Sequence, residues 1–245
     1  MSLCESTPVN RYIAIGDLHG CPDLFEQLIG TLSPEPGDVV VFLGDYVDRG
    51  PDSPGMIERL IAFRTAHRRS VFLRGNHDAM LLNFLGLDPQ GYGDSYLLAE
   101  NGGDSTLRQY GCTGEDILLN SWSFRQAIAA HARVRIRECI PRSHRAFLMR
   151  TKLYFKTARY LFVHAGINPA KLLGEQTQDD LLWIRNEFVT AAHTLPQTII
   201  YGHTVTRVPR IDAEGRKIGI DTGAVYGGHL TALILPEMKF VSVPA

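Results

Sequence analysis

Five short polar clusters each follow an apolar, strand-like run: Asp17-Leu18-His19, Asp45-Tyr46-Val47-Asp48-Arg49, Asn76-His77-Asp78, His164 and His203. Their oxygens and imidazole nitrogens suffice for two metal ions, and the chemistry that such a pair serves is hydrolysis of phosphoesters. Asp17 and His19 stand two apart at a strand end, so both can project to one side and offer an oxygen and a nitrogen to one ion. Asp45 follows a fully apolar run, where an uncompensated carboxylate costs several kcal/mol; a position between two cations compensates it. The Asn76 amide oxygen is a hard, neutral ligand. His77 beside it can stay uncoordinated and donate a proton, with Asp48 as the partner that orients its ring. Arg49 presents a planar guanidinium suited to bidentate grip of a phosphate.

Singly, each cluster also reads as an ordinary turn, cap or core histidine; their recurrence at strand ends in one chain is what points to a common site. His67, His131, His144 and His193 lie in polar or helix-like stretches and read as surface residues, and His229 as structural.

The runs that must position these groups are short and rich in β-branched or aromatic residues: Tyr12 to Ile15, Val39 to Leu43, Val71 to Leu73, Tyr160 to Val163, Thr198 to Tyr201, Ile218 to Ile220 and Leu230 to Leu235. Amphipathic helices are expected over Pro22 to Leu32 and Ser53 to Ala66, the second with Ser53 as cap and Pro54 as first helical residue. Strand, helix, strand, helix, strand implies parallel βαβ units, whose ligands gather beyond the carboxyl ends of the strands. The closer spacing of the runs ending at His164, His203 and Asp221 predicts hairpins in a second, more mixed sheet. The expected fold is therefore α/β, with two packed mixed β-sheets flanked by helices.

Between Ala79 and Tyr154 the strand signal fades. Ala79 to Leu87, Ser95 to Tyr110, Ser121 to Ala130 and Ser143 to Met149 read as short helices around glycine-rich stretches at Gly91 to Gly93 and Gly102-Gly103. Residues 79–154 are thus expected to form a helical insertion over the active site of a single domain spanning 1–245.

Composition agrees with an enzyme of this kind. A chain of 245 residues with 44% hydrophobic content can bury one sizeable core. A formal net charge of -1 gives no electrostatic case for nucleic acid or an anionic membrane as a bulk partner. No run approaches the ~20 apolar residues of a membrane helix, and no export signal is legible at the start. Cys4, Cys21, Cys112 and Cys139 lack metal-site spacing and are too sparse for a disulfide framework, so reduced thiols in a cytoplasm are expected.

Gly16-Asp-Leu-His-Gly20, Gly44-Asp-Tyr-Val-Asp-Arg-Gly50, Gly75-Asn-His-Asp78, Val163-His-Ala-Gly166 and Gly202-His-Thr204 together resemble the signature set of the calcineurin-like metallophosphoesterases, in family order over residues 16–204. The second motif resembles the phosphoprotein phosphatase branch. Leu182-Trp-Ile-Arg185 and Ile220-Asp-Thr-Gly-Ala-Val225 are similar to segments of small bacterial and phage serine/threonine phosphatases. The resemblance implies that Asp17 and His19 bind one metal, that Asn76, His164 and His203 complete the second site, and that Asp45 bridges the two. It also implies that Arg49 and Arg185 hold phosphoryl oxygens while His77, paired with Asp48, protonates the leaving group. Manganese is the metal it favours, with iron or zinc also compatible with the donor set. Asp78 departs from the glutamate usual at the end of the third motif in protein phosphatases.

The leading expectation is direct hydrolysis of phosphoserine or phosphothreonine in proteins by metal-activated water. The rival is a symmetrical dinucleoside polyphosphate hydrolase, such as one cleaving diadenosine tetraphosphate, which shares the metal motifs and resembles this chain at Gly227-Gly228 and Leu230-Thr231. Its second motif usually lacks the Asp48-Arg49 pair. A non-catalytic binding scaffold ranks third, because every ligand, the acid and both arginines are present.

Overall fold

The computed structural model describes residues 9, 11–88, 101–112 and 134–245. A six-stranded sheet contains β1 (Tyr12–Ile15), β2 (Val39–Phe42), β3 (Val71–Phe72), β9 (Asp221–Thr222), β10 (His229–Leu235) and β11 (Lys239–Pro244), in the order β11-β10-β1-β2-β3 with β9 beside β10. A five-stranded sheet contains β4 (Tyr154–Lys156), β5 (Tyr160–Val163), β6 (Thr198–Tyr201), β7 (Arg210–Ile211) and β8 (Lys217–Gly219), in the order β4-β5-β6-β8-β7.

Period-two patterning stacks the sheets and clothes them. Ala14, Val41, Phe162, Ile200, Ile218 and Leu233 point between the sheets and form one core cluster. Their neighbours Ile13, Ile15, Val40 and Phe42 point the other way, against α1 (Pro22–Leu32), α2 (Ser53–Ala66), α3 (Asn76–Phe84) and α5 (Arg142–Met149). On the far face of the second sheet, Leu161, Val163, Ile199 and Tyr201 meet α6 (Gln178–Trp183) and α7 (Asn186–Thr190). The fold is two mixed sheets flanked by helices.

Several details differ from the expectations. In the second sheet the antiparallel pairs β4–β5 and β7–β8 are the expected hairpins, the first leading to His164 and the second toward Asp221, while β5, β6 and β8 pair in parallel, so His203 is reached by a crossover rather than a hairpin. Asp52, not Ser53, caps α2: its carboxylate accepts the Gly55 N–H at 2.8 Å, leaving Ser53 as the first helical residue. Helix α3 begins at Asn76, three residues before the expected start, and the Asp78 carboxylate in its first turn accepts the Gly75 N–H at 2.8 Å. The edge strands β4, β7, β9 and β11 lack a legible apolar run.

Of the expected 79–154 helices, α4 (Gly103–Gln109) and α5 fall within the described residues; Gly91 to Gly93, Ser121 to Ala130, His131 and Cys4 lie outside them. Leu107, Ile136, Ile140, Phe147 and Leu148 join the core of the first sheet's helical face. His144 and His193 are buried, contrary to their surface reading. With Phe147 and Leu148, His144 forms the inner stripe of α5, and its ring bonds Glu58 Oε1 at 2.7 Å and the Tyr110 hydroxyl at 2.9 Å. Cys21, Cys112 and Cys139 are free thiols. Among the described residues, no helix is long and apolar enough to cross a membrane.

Candidate active site

The parallel strands of both sheets deliver their carboxyl ends to one place. Asp17 follows β1, Asp45 follows β2, Asn76 follows β3, His164 follows β5 and His203 follows β6; all are buried. Two close approaches require glycine: a side chain at Gly75 would strike the Asp45 carboxylate, and one at Gly202 would strike that of Asp17.

Asp45 stands between two imidazoles. Its Oδ2 lies 3.3 Å from His19 Nε2 and its Oδ1 3.6 Å from His164 Nε2. Each ring is held from behind, His19 Nδ1 by the Val47 carbonyl and His164 Nδ1 by the Leu43 carbonyl, both at 2.9 Å, which turns the Nε2 lone pair toward the cradle. Asn76 Oδ1 is 2.9 Å from His164 Nε2, and the Asp17 carboxylate accepts the His203 backbone N–H. His19, Asp45 and His77 form one group with donor atoms within 4.8 Å of one another; Asp45, His164 and His203 form another.

Two features fit these residues to divalent cations. The buried His203 Nε2 has no hydrogen-bond partner among the described residues. The buried Asp17 carboxyl is crowded by Asp221 and Asp45, and burial together with those charges pushes its pKa well up, a conflict that a cation resolves. Burial likewise lowers His19 to about 3 and His203 to about 2, keeping both neutral and available as ligands. For Asp45, burial acts upward, but the positive charge that His164, His77 and His19 carry when protonated outweighs it, and the carboxyl stays below its ordinary pKa.

His77 differs from its neighbours. Its Nδ1 bonds Asp48 Oδ2 at 2.8 Å, and although burial opposes protonation, Asp45 and Asp48 raise its pKa above the ordinary value. The other Asp48 oxygen accepts the Thr106 hydroxyl from α4 at 2.6 Å, while the Asp48 N–H donates to Ser53 Oγ and Thr106 Oγ1. The Asp48 carboxylate thus fixes the orientation of the His77 ring through Nδ1. Arg49 Nη1 is 2.9 Å from His19 Nε2. Arg185 is exposed just before α7, near enough for its charge to depress the His164 and His203 pKa values.

Sequence reasoning missed Ser53 and Thr106 as supports of Asp48, Asp78 as a support of Asp45, and Asp221 as a neighbour of Asp17. Only the Asp-Thr-Gly segment carried a signal, and only for Asp221. His19, Asp45, Asp48, Arg49 and His203 all adopt left-handed φ values, of 40°, 53°, 72°, 70° and 61°. Such backbone costs about 1–3 kcal/mol per residue and persists where the surroundings over-determine it.

Buried carboxylate, amide and imidazole donors gathered at the carboxyl ends of strands from two stacked sheets, with Arg49 beside them, form a site suited to metal-assisted phosphoester chemistry. The chain belongs to the calcineurin-like phosphoesterase family, whose model matches residues 11–229. An asymmetrical bis(5'-nucleosyl)-tetraphosphatase, PrpE, of Oceanobacillus iheyensis is 29% identical over 253 residues, covering 94% of this chain and 90% of the relative. The enzyme of the same name from Halalkalibacterium halodurans is 29% identical over 96% of this chain and 94% of its own length. Two solved structures share the fold. One, described as a candidate diadenosine tetraphosphatase, has a TM-score of 0.67 at 24% identity, over 99% of this chain and 96% of that one. The other, a protein serine/threonine phosphatase of Saccharomyces cerevisiae, has a TM-score of 0.56 at 16% identity, over 98% of this chain and 81% of that one.

Proposed function

We propose that this protein hydrolyses dinucleoside polyphosphates asymmetrically, releasing a nucleoside monophosphate, with two divalent cations, manganese first among them. The observation that carries this reading is near full-length similarity to proteins named as asymmetrical bis(5'-nucleosyl)-tetraphosphatases. It reverses the ranking drawn from the motifs, which put phosphoproteins first, and it replaces the symmetrical mode of the rival reading with the asymmetrical one.

In this reading Asp17 and His19 would hold one cation and Asn76, His164 and His203 the other, with Asp45 serving both. Such ions would supply Lewis acidity toward the phosphoryl oxygens and a water of lowered pKa. Arg49 and Arg185 hold the oxygens on which charge accumulates. Asp48 keeps the His77 ring oriented and protonated, and His77 delivers that proton to the departing oxygen. A departing nucleotide phosphate is a weaker base than a serine alkoxide and needs this proton less. The free thiols support a cytoplasmic location.

Phosphoprotein hydrolysis is the second reading. What favours it is the buried His77–Asp48 pair, since an acid so firmly held suits a poor leaving group. Manganese-loaded protein offered diadenosine tetraphosphate and a phosphoserine peptide in parallel tests the ranking. The expected result is preference for the dinucleotide, with ATP and AMP as products; ADP alone would restore the symmetrical mode, preference for the peptide the protein phosphatase, and no turnover of either the scaffold.

A further inference from the structure

Helix α4 lies in the segment expected to form the insertion, yet residues on one of its faces grip the turn after β2. Gly102, Thr106 and Gln109 follow one another at spacings of four and three, which place them on the same side of a helix. Gly102 starts the helix with φ of +95°, and a side chain there would press on the Arg49 backbone. Gln109 accepts the Ser53 N–H at 2.7 Å and donates to the Gly50 carbonyl at 3.0 Å. Thr106 lies between them, against Asp48; Asp48, Ser53 and Thr106 are all fully buried.

Every hydrogen-bonding site of the Thr106 hydroxyl is committed. Such a group has one proton and two lone pairs. The proton goes to Asp48 Oδ1 at 2.6 Å, because a carboxylate only accepts. The lone pairs meet the Asp48 N–H at 3.1 Å and the Ser53 hydroxyl at 3.2 Å, which makes Ser53 the donor in that pair. Asp48 Oδ2 is left to face His77 Nδ1 at 2.8 Å. The torsion that turns a carboxylate is broad, so an aspartate held through one oxygen can swivel; held through both, its plane is fixed.

We propose that Thr106 is a positioning residue for the proton donor: by fixing the plane of the Asp48 carboxylate it sets the angle of the His77 ring. The proposal rests on the reading of His77 as the donor and adds to it a residue behind the His77–Asp48 pair. Docking of α4 does not need this hydroxyl. The next residue, Leu107, is 2% exposed within the apolar core, and Gln109 holds the turn independently. A buried hydroxyl given wholly to a buried carboxylate serves orientation. It also ties α4 to the chemistry, since a shift of this helix loosens the donor without touching a metal-type ligand.

A double-mutant cycle with His77→Asn tests this in the full-length, manganese-loaded protein. Steady-state kinetics are read on phenyl phosphate, whose leaving group needs a proton, and on para-nitrophenyl phosphate, whose leaving group needs it less. Thr106→Val keeps the shape and removes the hydroxyl. It should lower kcat on phenyl phosphate by about ten- to a hundredfold, the usual cost of losing an outer group that orients an imidazole. KM and bound manganese should stay as they are, and Thr106→Ser should retain most of the rate. In the His77→Asn background the same Thr106→Val change should cost less than about twofold, since no ring remains to be oriented. Should Thr106→Val fail to fold, as urea denaturation would show, Thr106→Ala carries the same comparison. Equal losses in both backgrounds, equal losses on the two substrates, no loss, a Thr106→Ser variant no better than Thr106→Val, or no turnover of phenyl phosphate by the unaltered protein overturns the positioning role. His77→Asn by itself separates that failure from failure of the donor. A loss heavier on phenyl phosphate than on para-nitrophenyl phosphate upholds the donor, so that an additive Thr106→Val refutes the positioning role alone; equal losses refute both.

Discussion

The Asp78 carboxylate accepts the backbone N–H of Asp45 at 2.9 Å, and with it those of Tyr46 at 3.0 Å and Gly75 at 2.8 Å. A side chain from the first turn of α3 thereby pins the strained turn after β2 in which Asp45 sits with φ of 53°. At the level of sequence Asp78 was a departure that bore on substrate class; in the fold it holds the site's central carboxylate in place. Asp78→Ala would strand three buried N–H groups, each worth about 1–3 kcal/mol. We expect a loss of about 3 kcal/mol in urea denaturation together with weaker metal binding. A change below about 0.5 kcal/mol would refute the clamp.

Asp45→Asn keeps the size of the central ligand and removes its charge. Manganese content, measured after dialysis, and hydrolytic activity should fall together, activity by at least about a hundredfold, because the charge that offsets both cations is gone. Full manganese-dependent turnover in this variant would sink the bridging assignment.

His77→Asn should retain both metals and lose activity in proportion to the basicity of the leaving group. A phosphoserine peptide should suffer a loss of about 10²–10⁴-fold, the usual contribution of a general acid, and an activated aryl phosphate much less. Comparable losses on both substrates would argue against proton donation and for a purely structural ring.

Asp180 accepts from Lys171 Nζ at 2.6 Å, from the Thr177 N–H and hydroxyl at 2.8 Å each, and from Asn168 at 3.2 Å. Burial acts to raise its pKa, but the Lys171 and Thr177 bonds prevail and hold it at about 2. A carboxyl depressed in the folded state stabilises above its unfolded pKa, and that contribution disappears as the pH falls through the folded value. Asp180→Asn should therefore cost on the order of 1 kcal/mol at pH 7, after allowance for solvent screening. The gap between variant and parent should narrow from about pH 4 toward pH 2. Equilibrium denaturation across that interval checks it, and a pH-independent gap would contradict the linkage.

What the sequence determined by itself was local. Short runs rich in β-branched and aromatic residues announced most of the strands, and apolar spacing located α1 to the residue and α2 to within one residue at its start. A polar cluster after an apolar run marked every strand end that carries a candidate ligand, because an ionisable residue next to a buried strand needs a partner and stands out for that reason. The tertiary structure decided what each cluster touches. Thr106 reaches Asp48 across 58 positions, and His203 meets Asp17 across 186, separations over which no spacing rule operates. Burial of His144 depended on which side of α5 meets the core. The sequence suggested Asp48 as the partner of His77 but gave no partner for the His164 ring. Packing placed the Leu43 carbonyl behind Nδ1 of His164 and the Asp48 carboxylate behind Nδ1 of His77, and an ionised partner favours a held proton where a neutral one leaves the ring free to coordinate.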